Sequence, residues 1–252
     1  MESPRDIELS KKLAYVLRHG ACKEGIPMDS RGYVKVSDIL SRNEFKHFSV
    51  DDVRRVVGVN SKKRFMFEID DVGFKIKANQ GHTIEVPNLE LEPITDPSSV
   101  PVCIHGTYMK LWPNLRKNGI HRMSRQHIHF APGEPGKEGV VSGARSDCTL
   151  FIYVNLAKAM KAGLKFYRSP NNVILSPGDQ TGYIKPEFFE KAVDVKAEKK
   201  SFPVQFEVPK IIHLQNGGRK ADIENWRSIP IPRIFSKYWR KWYINGSIIS
   251  FR

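Results

Sequence analysis

Phe65-Met66-Phe67-Glu68-Ile69-Asp70-Asp71-Val72-Gly73-Phe74-Lys75-Ile76-Lys77-Ala78 is the stretch on which the reading of the fold turns. Phe65, Phe67 and Ile69 share one face, Asp70-Asp71-Val72-Gly73 supplies turn chemistry, and Phe74, Ile76 and Ala78 alternate again. A period of two on both arms predicts a β-hairpin. Upstream the period lengthens. Ser3-Pro4 offers a helix cap with proline at the first helical position, and Leu9, Leu13, Val16 and Leu17 recur at helical spacing as far as Gly20. Tyr33-Val34-Lys35-Val36 reads as a short strand ahead of a cap-like Ser37-Asp38. Ser49 with Asp52 three residues on forms a capping box before Val53, Val56 and Val57. Three helices and then a hairpin are the layout of a winged helix, expected over residues 1–98.

Beyond the hairpin, Pro87, Pro93, Pro97 and Pro101 with few long apolar runs predict a linker from about residue 87. Apolar runs at 127–130, 150–154, 164–167 and 173–175 are short and bounded by Gly, Pro or Asn. They predict a mostly β lobe over 99–195, with short helices near 108–117 and 157–162. The expected fold class is α+β. The remainder, 196–252, is an extension of unassigned role holding three of the four tryptophans. Its run Phe235-Ser236-Lys237-Tyr238-Trp239-Arg240-Lys241-Trp242-Tyr243 interleaves rings with cations. Such a run either stacks unpaired bases or docks its rings on the β lobe with the cations turned outward.

The 252 residues carry 41 Lys and Arg against 27 Asp and Glu, a net charge of +14. Residues 1–100 hold sixteen bases and sixteen acids, whereas 101–252 hold 25 bases and 11 acids. So basic a chain calls for an anionic partner, polyphosphate or nucleic acid. A winged helix that gripped a duplex alone would carry its own excess of bases; a balanced one more naturally lends a few cations to a shared cleft. No stretch approaches the ~18 apolar residues of a spanning helix, so no membrane is expected. The start of the chain lacks a secretory layout, and Cys22, Cys103 and Cys148 are odd in number and far apart, which predicts a reducing, intracellular compartment.

Arg18-His19 stands at the end of the first helix, where cations also simply suit the helix dipole. From Arg54 to Arg64 there are five bases and no acid, which a solvated edge of the hairpin would equally explain. In Arg125-Gln126-His127-Ile128-His129, a His-x-His strand puts both imidazoles on one face, yet no third ligand is near, so no metal is expected. The expected turn His105-Gly106-Thr107, and later Ser142-Gly143-Ala144-Arg145, place glycine where backbone can approach a ligand closely. Neither is the Gly-x-Gly-x-x-Gly fingerprint of a dinucleotide fold.

Taken together, these blocks resemble a known family. Ser10-Lys11-Lys12-Leu13, Leu17-Arg18-His19-Gly20, Asp29-Ser30-Arg31-Gly32-Tyr33-Val34, Lys63-Arg64-Phe65, Asn79-Gln80-Gly81-His82, His105-Gly106-Thr107, Met123-Ser124-Arg125-Gln126-His127-Ile128-His129 and Ser142-Gly143-Ala144-Arg145 look like the motifs of the NAD-dependent tRNA 2′-phosphotransferases, in that family's order over roughly residues 8–190. The resemblance implies a winged-helix lobe joined to an ADP-ribosyltransferase-like lobe with NAD, as co-substrate, between them. It implies a tRNA or other RNA partner bearing an internal 2′-phosphate left at a splice junction. The phosphate attacks C1″ of the NAD ribose and expels nicotinamide; O2″ then attacks phosphorus. The products are 2′-hydroxyl RNA, ADP-ribose 1″,2″-cyclic phosphate and nicotinamide. Carried over residue by residue, the catalytic set is Arg18, His19, Arg64 and Arg125, with Arg122 close enough to compete for the last place. His105, Gly106, Thr107, Ser142, Gly143 and Arg145 would hold NAD. The rivals are a non-catalytic winged-helix module that binds RNA or DNA, and an enzyme that transfers ADP-ribose to terminal phosphates of RNA or DNA.

Overall fold

The structure, a computed structural model, describes residues 3–71, 73–137, 140, 142–145, 147–197, 201–202, 242–244 and 247–249. The chain divides into two compact units, Met1–Phe206 and Glu207–Arg252. The described residues form a mixed α and β protein whose named strands pair antiparallel throughout.

Helix α1, Pro4–Tyr15, starts on a reciprocal cap: Ser3 Oγ accepts from the Asp6 N–H, and the Asp6 carboxylate accepts from the Ser3 N–H. Its buried stripe is Leu9 and Leu13, continued by Val16 and Leu17. The helix does not simply stop where the leucine spacing ends; it widens into a π-helical turn over Val16–Gly20, which carries Arg18 and His19. A side chain at Gly20 would meet the Tyr15 ring at 2.8 Å, so the glycine lets that ring lie against the turn. Strand β1 is just Val34–Lys35, and α2, Val36–Leu40, begins at once from an extended Lys35. Ser37-Asp38 therefore lies in the first turn of α2 instead of capping it, because Val36 and Ile39 are drawn into the core. Helix α3, Val50–Val59, has the Ser49–Asp52 capping box. The hairpin follows as β2, Phe65–Asp70, and β3, Gly73–Ala78, in register from Phe65 opposite Ala78 to Asp70 opposite Gly73. Strand β1 joins the far side of β3, and one core, with Leu9, Leu13, Leu17, Ile39, Phe45 and Ile76 fully buried, binds these elements.

The proline-rich stretch contributes β4, Glu92–Pro93, whose partner is β9, Tyr167–Arg168. Proline is tolerated there because β4 is the edge of its sheet. That sheet runs β4, β9, β10 (Ile174–Ser176), β7 (Ile128–Phe130). A second has the order β13 (Ser201–Phe202), β12 (Phe189–Asp194), β8 (Leu150–Val154), β5 (Ile104–Thr107). Strands β6, Ile120–His121, and β11, Tyr183–Ile184, form a pair. Helices α4, Trp112–Asn118, and α5, Leu156–Lys161, flank them. Phe130, Leu150, Ile152, Phe166, Ile174 and Ala192 center the second core. His105-Gly106-Thr107 belongs to strand β5 and is not a turn: its backbone pairs with β8 while Ile104 exchanges bonds with Ala131. In the second unit, β14, Trp242–Ile244, pairs with β15, Ser247–Ile249. The rest of the aromatic and basic run, 235–241, lies outside the described residues. No helix among the described residues is long and apolar enough to cross a membrane.

Candidate active site

Arg18 enters the site from the π-helical turn. Its guanidinium packs over Gly81, whose φ of 94° carries the backbone flat beneath it; a side chain at Gly81 would stand 3.3 Å from Arg18 Nε. That Nε is buried with no hydrogen-bond partner among the described residues. Burial first, then the charges of Arg64 and Arg125, pull the Arg18 pKa down to about 10. A folded chain would not assemble such a cluster for its own stability, since each guanidinium raises the energy of the next.

His19 follows, with Nδ1 2.9 Å from the Thr83 hydroxyl. Burial, then Arg18, Arg125 and Lys23, lower its pKa. Arg64 comes from the 60–64 loop ahead of β2. There Asn60 Oδ1 accepts from both the Arg64 backbone N–H and its Nη1, at 3.0 and 3.2 Å. Lys63 is held at φ 42°, its carbonyl and that of Lys62 accepting from the side-chain amides of Asn79 and Asn171. The loop is thereby fixed from both cores. Arg125 ends a turn in which Arg122 Nη1 donates to the Arg125 carbonyl at 2.9 Å. Burial, then Arg145, lowers the pKa of Arg125. Arg122 packs instead against Gly182. Both line the cleft, but the charge acting on Arg18 and His19 is that of Arg125.

These residues border one cleft of about 580 Å³, within the roughly 300–1,000 Å³ of small-molecule and cofactor sites. Arg18, Lys62, Arg64, Arg122, Arg125 and Arg145 line it, and among the described lining residues there is no Asp or Glu. His105, Gly106, Thr107, Ser142 and Gly143 form another stretch of its wall; His19 lies beside it, outside the lining. The close approach that Gly106 and Gly143 allow is between protein segments. A side chain on Gly106 would collide with Ala144 and Cys148, and one on Gly143 with the backbone of Phe130 and Ala131. The two glycines thus seat the 142–145 segment against β5 on one side and the end of β7 on the other, and Arg145 Nη1 lies 3.3 Å from the Tyr108 hydroxyl. His129 Nε2 is buried without a partner among the described residues, and burial followed by Arg125 pushes its pKa well down. A cleft with six cations, no acid and unpartnered buried nitrogens among its described residues fits a ligand of several phosphates. Among the described residues no three His, Cys, Asp or Glu side chains are grouped to hold a metal ion.

Lys62, Tyr108 and Thr83 are not marked as site residues by the sequence, and Gln80 stands in the Asn79-Gln80-Gly81-His82 block without an assigned role. The Lys-Lys-Arg run signaled the first only as bulk charge, and nothing local marks Thr83, which meets His19 across 64 residues.

A family model described as RNA 2′-phosphotransferase, Tpt1 / KptA family, matches residues 4–178. The chain is 48% identical over 199 residues to tRNA 2′-phosphotransferase 1 of Danio rerio, covering 77% of this chain and 88% of that protein. It is 43% identical over 202 residues to tRNA 2′-phosphotransferase 1 of Homo sapiens, covering 79% and 80%. With tRNA 2′-phosphotransferase of Saccharomyces cerevisiae the identity is 38% over 223 residues, 84% of this chain and 94% of the other.

Proposed function

The chain belongs to the RNA 2′-phosphotransferase, Tpt1 / KptA family, and on that footing we propose that it transfers the splice-junction 2′-phosphate of ligated tRNA to NAD. The products are 2′-hydroxyl RNA, ADP-ribose 1″,2″-cyclic phosphate and nicotinamide. In this reading the three helices and hairpin are a winged-helix lobe, residues 99–195 are an ADP-ribosyltransferase-like lobe, and 196–252 are an added segment. The observation that carries the proposal is the cleft, without Asp or Glu among its described lining residues, into which Arg18, Arg64 and Arg125 converge.

A phosphate monoester is already anionic near neutral pH and needs holding more than activating. Arg18, Arg64 and Arg125 hold it with permanently charged, fork-shaped donors, and the buried Arg18 Nε gains the partner it lacks. The co-substrate supplies an electrophilic ribose carbon, a leaving nicotinamide and a ribose hydroxyl that later captures phosphorus. His105, Gly106 and Thr107 with Ser142, Gly143 and Arg145 bind it along the second wall. When charge gathers on the phosphoryl oxygens, the fixed cations stabilize it without reorganizing. His19, the imidazole of the set, whose pKa burial and the neighboring cations lower, delivers a proton to the departing RNA 2′-oxygen.

Purified protein incubated with NAD and an oligoribonucleotide carrying one internal 2′-phosphate is expected to release nicotinamide and lose the phosphate in step. Binding of the RNA without either product would leave the non-catalytic module. Reaction confined to oligonucleotides with terminal phosphates would leave the transferase that caps ends.

A further inference from the structure

The segment from Asn79 to Ile84 wraps the Arg18-His19 pair from outside the helix that carries it. The N–H groups of Thr83 and Ile84 donate to the Arg18 carbonyl at 2.9 and 3.4 Å. Such a carbonyl is freed for outside donors because a π turn displaces the regular ladder. Gly81 lies beneath the Arg18 guanidinium. The His82 carbonyl accepts from the Gln126 N–H at 3.0 Å, which ties the same segment to the turn bearing Arg125. At the center of this strap the Thr83 hydroxyl stands 2.9 Å from His19 Nδ1 and 3.3 Å from the Arg18 carbonyl oxygen.

A carbonyl can only accept, so a hydroxyl bonded to it spends its single hydrogen there and keeps its lone pairs for another donor. The chain of bonds is complete in one sense only: His19 Nδ1–H donates to Thr83 Oγ1, and Thr83 Oγ1–H donates to the Arg18 carbonyl. We propose that Thr83 is a positioning residue that fixes the His19 ring in the Nδ1–H form and leaves Nε2 as its working nitrogen. His19 Nε2 has no hydrogen-bond partner among the described residues. Arg18, Arg125 and Lys23 act on the ring as cations and Tyr15 packs 6.3 Å from it, while the Thr83 hydroxyl is the described acceptor within bonding distance of Nδ1 and can hold Nδ1–H whether the ring is neutral or charged. A charged ring then presents Nε2–H alone to an anion. The role of His19 in phosphate transfer is the reading given above, and the Thr83 inference rests on it for its kinetic consequence but not for the ring geometry.

Two measurements on the full chain test it. In the first, Thr83→Val keeps the shape and removes the hydroxyl, and Thr83→Ser restores the hydroxyl. With NAD and a 2′-phosphorylated oligoribonucleotide, kcat of Thr83→Val is expected to fall between about ten- and a hundredfold, with KM for the RNA within twofold and kcat recovered in Thr83→Ser. In the second, ¹⁵N chemical shifts of labeled histidine at neutral pH, with His19 assigned by comparison with His19→Gln, are expected to report Nδ1–H in the native chain and in Thr83→Ser. In Thr83→Val the ring is expected to shift toward Nε2–H. A native His19 that is Nε2–H, an unchanged ring in Thr83→Val, or a Thr83→Val enzyme with native kcat each overturns the inference. If the native chain does not turn over this substrate, the proposed function fails, and the ¹⁵N measurement alone decides the role of Thr83.

Discussion

Arg18 is the residue at which function works against the fold. Its guanidinium is buried among like charges with one nitrogen unpartnered, an arrangement that an anionic ligand repairs and an empty cleft does not. Replacing it with methionine, of similar length and no charge, should therefore lower phosphate transfer by roughly a hundredfold while leaving the melting temperature equal or higher. Paired activity and calorimetry measurements check this; a melting temperature several degrees lower would mean that Arg18 holds the fold together. At this scale the sequence indicated where Arg18, His19, Arg64 and Arg125 lie along the chain and what chemistry each can do. It was silent on Thr83, because a hydroxyl that acts through a neighbor distant in sequence leaves no local pattern.

Among the elements, the helices are anchored by features plain in the sequence. Ser3–Asp6 and Ser49–Asp52 are both reciprocal caps, and the structure adds that they brace each other. Arg55 lies 2.9 Å from Asp6 and 2.6 Å from Asp52, and Arg5 lies 3.2 Å from Asp52. Removing the cap with Ser49→Ala should reduce stability by about 1 kcal/mol, measured by urea denaturation, with little effect on transfer. Asp52→Asn should reduce it further, because Ser49, Arg55 and Arg5 all bond the ionized carboxylate and hold its pKa far below the usual range. On the opposite wall, Gly106→Ala drives a methyl into Ala144 and Cys148. It is expected to displace the 142–145 segment and, on the proposed function, to raise KM for NAD about tenfold, read in initial-rate assays. Helix periodicity, the Ser3 cap and the Ser49–Asp52 box were legible because they are short-range; the structure adds that Asp6 answers Ser3. The π-helical turn was not, since it answers to Tyr15 and to the 79–84 strap.

For the whole molecule, the cleft carries a cost in acid. His82 is buried, its pKa pressed to about 4 by burial, then by Arg18 and His127; His105, His127 and His129 are lowered as well. Above pH about 6.5 both folded and unfolded chains hold His82 neutral. As pH falls from there to about 4 the unfolded chain takes up a proton that the folded one refuses, so stability declines, by up to about 3 kcal/mol for His82 alone. Below 4 both states are protonated and the decline from this residue ends. Denaturation midpoints measured across this range should fall less steeply in His82→Leu than in the native chain. The sequence by itself determined the first-residue caps, the hairpin, the short strands and the presence of an anion-seeking set, because each depends on neighbors within a few residues or on total charge. Only the tertiary structure decided that residues 18, 64 and 125 face one cation-lined cleft, that Gly106 and Gly143 serve the packing of its wall, and that Thr83 reaches His19. Those meetings span tens of residues, and the closing of the two cores around the 60–64 loop and the 79–84 strap, not any local preference, brings them within bonding distance.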